Sequence, residues 1–179
     1  KPAFEMELDA MRSVKYDYGL DNLQLMVPFC RTPEEGSLVT DLLNEKGVGP
    51  ASGTDLFVMV ELPSNVIEAD RFIEMMDLSG GSIGSNDLVQ TVYAVSRDDL
   101  EGYQNPIDAR SPSVKAMIRD IVGKFNSKGM EIGICGQAPS DFPDEFPAFL
   151  VDCGITSISV TPDTAVAVRG TVAEAEKRA

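Results

Sequence analysis

The sequence predicts an α/β domain built on a parallel sheet. Three observations carry that expectation. Five short apolar runs are near-continuously hydrophobic, as strands buried on both faces are, rather than alternating. Segments of helical period with legible ends separate them. A length of 179 residues suffices for one domain with a proper core and falls short of two.

The elements follow in order. A helix is expected over residues 4–18, then a first strand over 23–29 (LQLMVPF). Thr32-Pro33-Glu34-Glu35 offers an N-cap, a proline at the first helical position and a capping-box glutamate for the next helix. The second strand, 56–62 (LFVMVEL), leads to Asn65 and Glu68, which repeat the capping arrangement for a helix over 66–76. The third strand is 81–84 (GSIG). Val114, Met117, Ile118, Ile121, Val122 and Phe125 fall on one helical face, and Gly129 stops that helix. The fourth strand, 131–135 (EIGIC), a helix over 145–151, the fifth strand, 156–160 (TSISV), and a helix over 163–178 complete the chain. Strands alternating with helices mean βαβ units. The pattern alone leaves two architectures open, a doubly wound sheet or part of a (β/α)8 barrel, because a complete barrel takes about 250 residues and eight strands.

Composition excludes whole classes of function. Fifteen basic against 29 acidic residues give a net charge of −14, so no basic face is available for nucleic acid or an anionic membrane. No run approaches the roughly 18 apolar residues of a membrane span. Three cysteines, odd in number and far apart, point to a reducing, cytoplasmic setting rather than a disulfide framework. The chain has no histidine, which removes Ser-His-Asp catalysis, His-ligated zinc and a phosphohistidine of its own. It opens on Lys1 rather than Met, so a piece of a longer polypeptide is expected.

Polar residues cluster just after each strand: Cys30 and Arg31, Glu61, Asn86 and Asp87, Cys135 and Gln137. Parallel strands carry their C-terminal ends to one face, where barrels and open α/β sheets hold ligands. Glu61 interrupts an apolar strand, and Asp87 supplies a second carboxylate. Two such groups, with room for water and substrate oxygens, are how Mg²⁺ is usually held. Gly84 lets a backbone approach a ligand, and successive amides of a tight turn bind anions. The plainer alternatives are a solvated strand-end carboxylate at Glu61 and a helix cap at Asn86 or Asp87. Cys135 sits between glycines at a strand end; Cys30 and Cys153 read as structural, and Arg31 as a surface residue beside an N-cap.

Five segments carry a family resemblance: residues 22–35 (NLQLMVPFCRTPEE), 60–65 (VELPSN), 82–90 (SIGSNDLVQ), 133–141 (GICGQAPSD) and 157–164 (SISVTPDT). In this order they resemble the phosphoenolpyruvate synthase (pyruvate, water dikinase) family across essentially the whole chain. The resemblance implies the C-terminal portion, about five strands, of a (β/α)8 barrel of the phosphoenolpyruvate/pyruvate-binding type, forming one domain over residues 1–179. It implies an enzyme that converts pyruvate, ATP and water into phosphoenolpyruvate, AMP and phosphate through a phosphohistidine on a mobile domain. The residues matching the family's motifs are Glu61 and Asp87 for Mg²⁺, with Mn²⁺ as substitute. Glu61, Gly84, Ser85, Asn86 and Asp87 match those at the substrate, and Cys135 the acid/base at the methyl carbon. The implied partners are pyruvate or phosphoenolpyruvate, the ATP-binding and phosphohistidine domains, and a second copy in a homodimer. A stand-alone metal and 2-oxoacid-binding module, or a dimerisation module, is the alternative.

Overall fold

Five parallel strands lie side by side in the order of the sequence, β1 to β5, in the computed structural model, which describes residues 2–96 and 107–178. They are β1 Gln24–Val27, β2 Asp55–Val60, β3 Gly80–Ile83, β4 Glu131–Ile134 and β5 Ser157–Ile158. Each lies inside the apolar run expected for it or within a residue of it. The helices are α1 Pro2–Tyr16, α2 Pro33–Glu45, α3 Pro63–Ile67, α4 Ala69–Met76, α5 Ser85–Tyr93, α6 Pro112–Ser127, α7 Ala138–Asp141, α8 Phe146–Cys153 and α9 Ala165–Glu176, with a 3₁₀ turn at Pro50–Ser52. Lys1, on which the chain opens, lies outside the described residues.

Strand order decides between the two architectures. A doubly wound sheet reverses its order partway, whereas here no neighbour is out of sequence. Right-handed crossovers in one direction put every helix on the same face, so the sheet curls as a barrel segment does.

The two faces of the sheet differ accordingly. Leu56, Val58 and Val60 of β2 and Ile132 and Ile134 of β4 are buried against the helices. A side-chain carbon added at Gly81 would meet the Phe125 ring of α6, so the same face of β3 is also covered. Phe72, Phe125 and Phe146 are fully buried in this layer. Burying such a ring stabilises by roughly 1.5–3 kcal/mol. The opposite face carries Phe57 and Met59 of β2, both half-buried, with Gly80 and Ser82 of β3 and Gly133 of β4 beside them.

Capping follows the sequence at α2 and departs from it at α3. Thr32 accepts the Glu35 amide at 3.1 Å, while the Glu35 carboxylate turns back to the Arg31 amide at 2.8 Å, one residue before the cap. The single helix expected over 66–76 is two. Pro63 starts α3 three residues early, since proline suits a first helical position. The chain then breaks at Glu68, with Lys124 donating to the Val66 carbonyl at 2.7 Å. Asn65 sits inside α3 and is not the cap of a helix starting at Val66. In α5 the N-cap is Gly84, with Asn86 and Asp87 inside the first turn rather than capping it. Gly129, at φ +67°, follows α6 as expected.

Both edge strands border open space. A cavity of about 590 Å³ runs along β5 between Val151, Ile158, Val168 and Val172, and one of about 340 Å³ lies beside β1 between Phe4, Met11, Leu25 and Met26. Among the described residues no helix is long and apolar enough to cross a membrane.

Two stability effects of opposite sign follow. A side-chain carbon at Gly80 would lie 2.4 Å from the Phe57 ring and 2.8 Å from the Glu131 carbonyl, which the sheet holds in place. Gly80→Ala should cost about 1–3 kcal/mol and lower Tm by several degrees. Gly123, inside α6 with nothing within 4 Å, should gain about 0.5–1 kcal/mol as alanine. Thermal melts of the two variants test both. The open edges predict self-association of the 179-residue chain, strengthening as salt screens its net charge of −14. Light scattering at two ionic strengths should show mass rising with concentration; a strict monomer at both would mean the edges do not pair.

Candidate functional site

Registry and period two build the site before any side chain is considered. Met59 pairs with Ser82, Ser82 with Gly133, and Gly133 with Ser157. The ladder runs on: the amides of Gly84, Cys135 and Ser159 donate to Val60, Ile83 and Ile134 at 2.9, 3.1 and 2.9 Å. Two residues beyond the Met59 row, on the face away from the helices, stand Glu61, Gly84, Cys135 and Ser159. Three of the expected site residues therefore form one row across three adjacent strand ends.

Glu61 is only 5% exposed. Its backbone amide donates to the Asn65 side-chain oxygen at 3.2 Å, its carbonyl accepts from Thr91 Oγ1 at 2.9 Å, and its Oε1 accepts from the Phe29 amide. Its Oε2 lies 3.0 Å from where a side chain on Gly84 would begin. Any residue larger than glycine at position 84 would crowd that oxygen. Burial raises the Glu61 carboxyl above its ordinary value; the Phe29 amide opposes this and the nearby Asp87 charge adds to it.

Asp87 stands in the first turn of α5, where the helix dipole favours an anion. Gln90 Nε2 donates to its Oδ1 at 3.1 Å. Asn86 and Gln137 bind each other across two strand ends, with Asn86 Nδ2 donating to Gln137 Oε1 at 3.3 Å and the Gln137 amide to Asn86 Oδ1 at 3.4 Å. Ser85 is fully buried, and its Oγ has no partner among the described residues. It rests against Gly136, where an added carbon would fall 1.7 Å from Ser85 Oγ. A buried hydroxyl without a partner forgoes about 1–3 kcal/mol, a cost that a ligand oxygen can remove.

Cys135 is exposed, with Sγ 3.3 Å from Met59 Sδ. The other thiols differ. Cys30 is buried, and burial together with the Glu35 charge pushes it up to about 11; Cys153 is half-buried and likewise raised by burial. The two residues that follow β1 stay out of the row, in keeping with the structural reading of Cys30 and the surface reading of Arg31. Cys30 turns into the core, and Arg31 is exposed and paired with Glu35 at 2.8 Å.

The donor set suits a hard divalent ion. The Asp87 charge lies close enough to Glu61 to add to the cost of ionising it, and no cluster of three or more possible ligands occurs among the described residues. Such a pair leaves most coordination positions to water and substrate oxygens, as Mg²⁺ sites commonly do.

Three contacts were not legible in the sequence. Phe29 has φ +51°, a left-handed backbone that bulky residues rarely adopt and that no residue pattern announces. Thr91 and Met59 gave no signal. Asn65 did, as an asparagine four residues after a strand-end glutamate, but its role lies in tying turns together.

The chain matches the family described as PEP-utilising enzyme, PEP-binding domain, over residues 1–177. It is 45% identical over 179 residues to the phosphoenolpyruvate synthase of Aquifex aeolicus, covering 99% of this chain and 20% of that protein. Against the phosphoenolpyruvate synthase of Synechocystis sp. the identity is 43% over 178 residues, covering 99% of this chain and 21% of that protein. Against that of Escherichia coli it is 37% over 179 residues, with 99% and 22% covered. The chain thus spans about a fifth of the length of these curated relatives. A crystal structure of a citrate lyase from Burkholderia xenovorans LB400 shares the fold with a TM-score of 0.59 at 15% identity, over 83% of this chain and 48% of that one. By sequence and by strand order, then, the chain belongs to the PEP-binding domain family of the PEP-utilising enzymes, as the C-terminal portion of a (β/α)8 barrel.

Proposed function

We propose that this chain is the pyruvate- and phosphoenolpyruvate-binding portion of a phosphoenolpyruvate synthase, which converts ATP, pyruvate and water into AMP, phosphoenolpyruvate and phosphate. The observation that carries the reading is the row Glu61, Gly84, Cys135 at three adjacent strand ends, with Asp87 and the unpartnered Ser85 hydroxyl beside it. Relatives of that name, 37 to 45% identical over 178–179 residues, support it.

On this reading Glu61 and Asp87 hold Mg²⁺, with Mn²⁺ as a substitute. The bound ion supplies positive charge where the enol oxygen gains negative charge. The remaining work belongs to the chain. Gly84, Ser85, Asn86 and Asp87, around the first turn of α5, bind the carboxylate and enol oxygen, and the absence of a side chain at Gly84 leaves room for them. Cys135 Sγ, as thiolate, takes a proton from the pyruvate methyl in the direction of synthesis, and the thiol so formed returns it in reverse, a task suited to an exposed sulfur at the same level of the sheet. The phosphoryl group comes from a phosphohistidine on another domain, since this chain has no histidine, and ATP binds elsewhere in the longer polypeptide. The 179 residues alone bind and do not turn over. A second copy of the domain and a cytoplasmic setting complete the proposal.

Two experiments test it. Water-proton relaxation with Mn²⁺ should detect weak binding that Glu61→Gln combined with Asp87→Asn removes; equal binding by parent and variant would refute the metal assignment. In the complete enzyme, Cys135→Ala should lower phosphoenolpyruvate formation by about 10²–10⁴-fold, the usual range for a positioned proton carrier. Phosphorylation of the histidine by ATP should persist, because that half-reaction takes place on other domains. Loss of both half-reactions would indicate a folding defect and refute the chemical role.

A further inference from the structure

Asn65 is 2% exposed and uses both ends of its side-chain amide. Its Oδ1 accepts from the backbone amides of Glu61 at 3.2 Å and Leu62 at 3.0 Å, and its Nδ2 donates to the Cys30 carbonyl at 2.7 Å. These bonds join the turn after β1 to the turn after β2. The first turn contains Phe29, whose amide holds Glu61 Oε1 from a left-handed backbone. A left-handed phenylalanine stays in place only where its surroundings fix it. The bond to the next residue's carbonyl is one such restraint.

We propose that Asn65 is a positioning residue for the Glu61 carboxylate. One side of its amide fixes the backbone that carries Glu61. The other fixes the turn whose amide occupies Oε1, so that Oε2 is the oxygen left to face Gly84. The inference rests on the reading of Glu61 as a metal ligand. It goes beyond that reading in naming what orients the ligand. Residues in this supporting position commonly change metal affinity by 10–100-fold when substituted.

Asn65→Asp separates the two jobs. An aspartate oxygen can still accept from the Glu61 and Leu62 amides, but it cannot donate to the Cys30 carbonyl. Asn65→Ala loses both. In the complete polypeptide without nucleotide, Mn²⁺ titrations followed by water-proton relaxation should show binding that Glu61→Gln abolishes. Asn65→Asp should melt as cooperatively as the parent and bind Mn²⁺ about ten-fold more weakly, with Asn65→Ala at least as weak. A folded Asn65→Asp with parental Mn²⁺ affinity would overturn the proposal while leaving Glu61 as a ligand. Loss of cooperative melting in both variants would overturn it too, making Asn65 a folding residue. Mn²⁺ binding by the parent that Glu61→Gln leaves untouched would sink the reading of the site itself.

Discussion

The parallel registry that sets Met59 beside Ser82 and Ser82 beside Gly133 governs everything the sheet presents. Because side chains alternate with period two, a slip of one residue in any pair would exchange the buried and open faces of that strand. Val60, Ile83 and Ile134, now packed under helices, would turn outward. Glu61, Gly84 and Cys135 would turn into the apolar layer. The hydrophobic layer on one face and the polar row on the other are thus two readings of a single alignment. Burial of Leu56, Val58, Ile132 and Ile134 supplies the free energy that holds the row in place.

Small residues complete that alignment. Gly80 and Gly133 stand where an added carbon would strike the Phe57 ring and the Ser157 hydroxyl, and Gly136 where it would strike Ser85. The open face is therefore close-packed along its own strands while remaining shallow. Larger groups on it, such as Phe57, Met59 and Cys135, stand beside glycines or serines. The row gains depth from alternation of size as well as from alternation of side.

Much of the fold was legible because its signals are local or periodic. The strands announce themselves as apolar runs, and α6 by one apolar face closed with Gly129. The barrel was not readable from pattern: strand order is a long-range property, and the same βαβ units build both architectures. In the site, Glu61, Gly84 and Cys135 were visible because each breaks its surroundings, a carboxylate or a glycine where an apolar residue belongs. Arg31 and Cys30 share their position after a strand, yet one pairs with Glu35 on the surface and the other enters the core. Sequence position fixes the level of a residue in the sheet, and the local turn fixes where its side chain goes. Phe29 shows the limit most plainly, since its backbone is set by tertiary contacts rather than by its own preference.

Burial of Glu61 sets the domain's stability against its use. A carboxyl whose proton affinity is raised on folding contributes stability below its unfolded value and loses that contribution as pH rises through the folded value. Ionising the group in the folded chain carries a cost, and a neutral residue of the same shape would relieve it. Selection acting on stability alone would remove such a carboxylate. Any ligand that binds the folded state and not the unfolded one would offset such a cost by mass action.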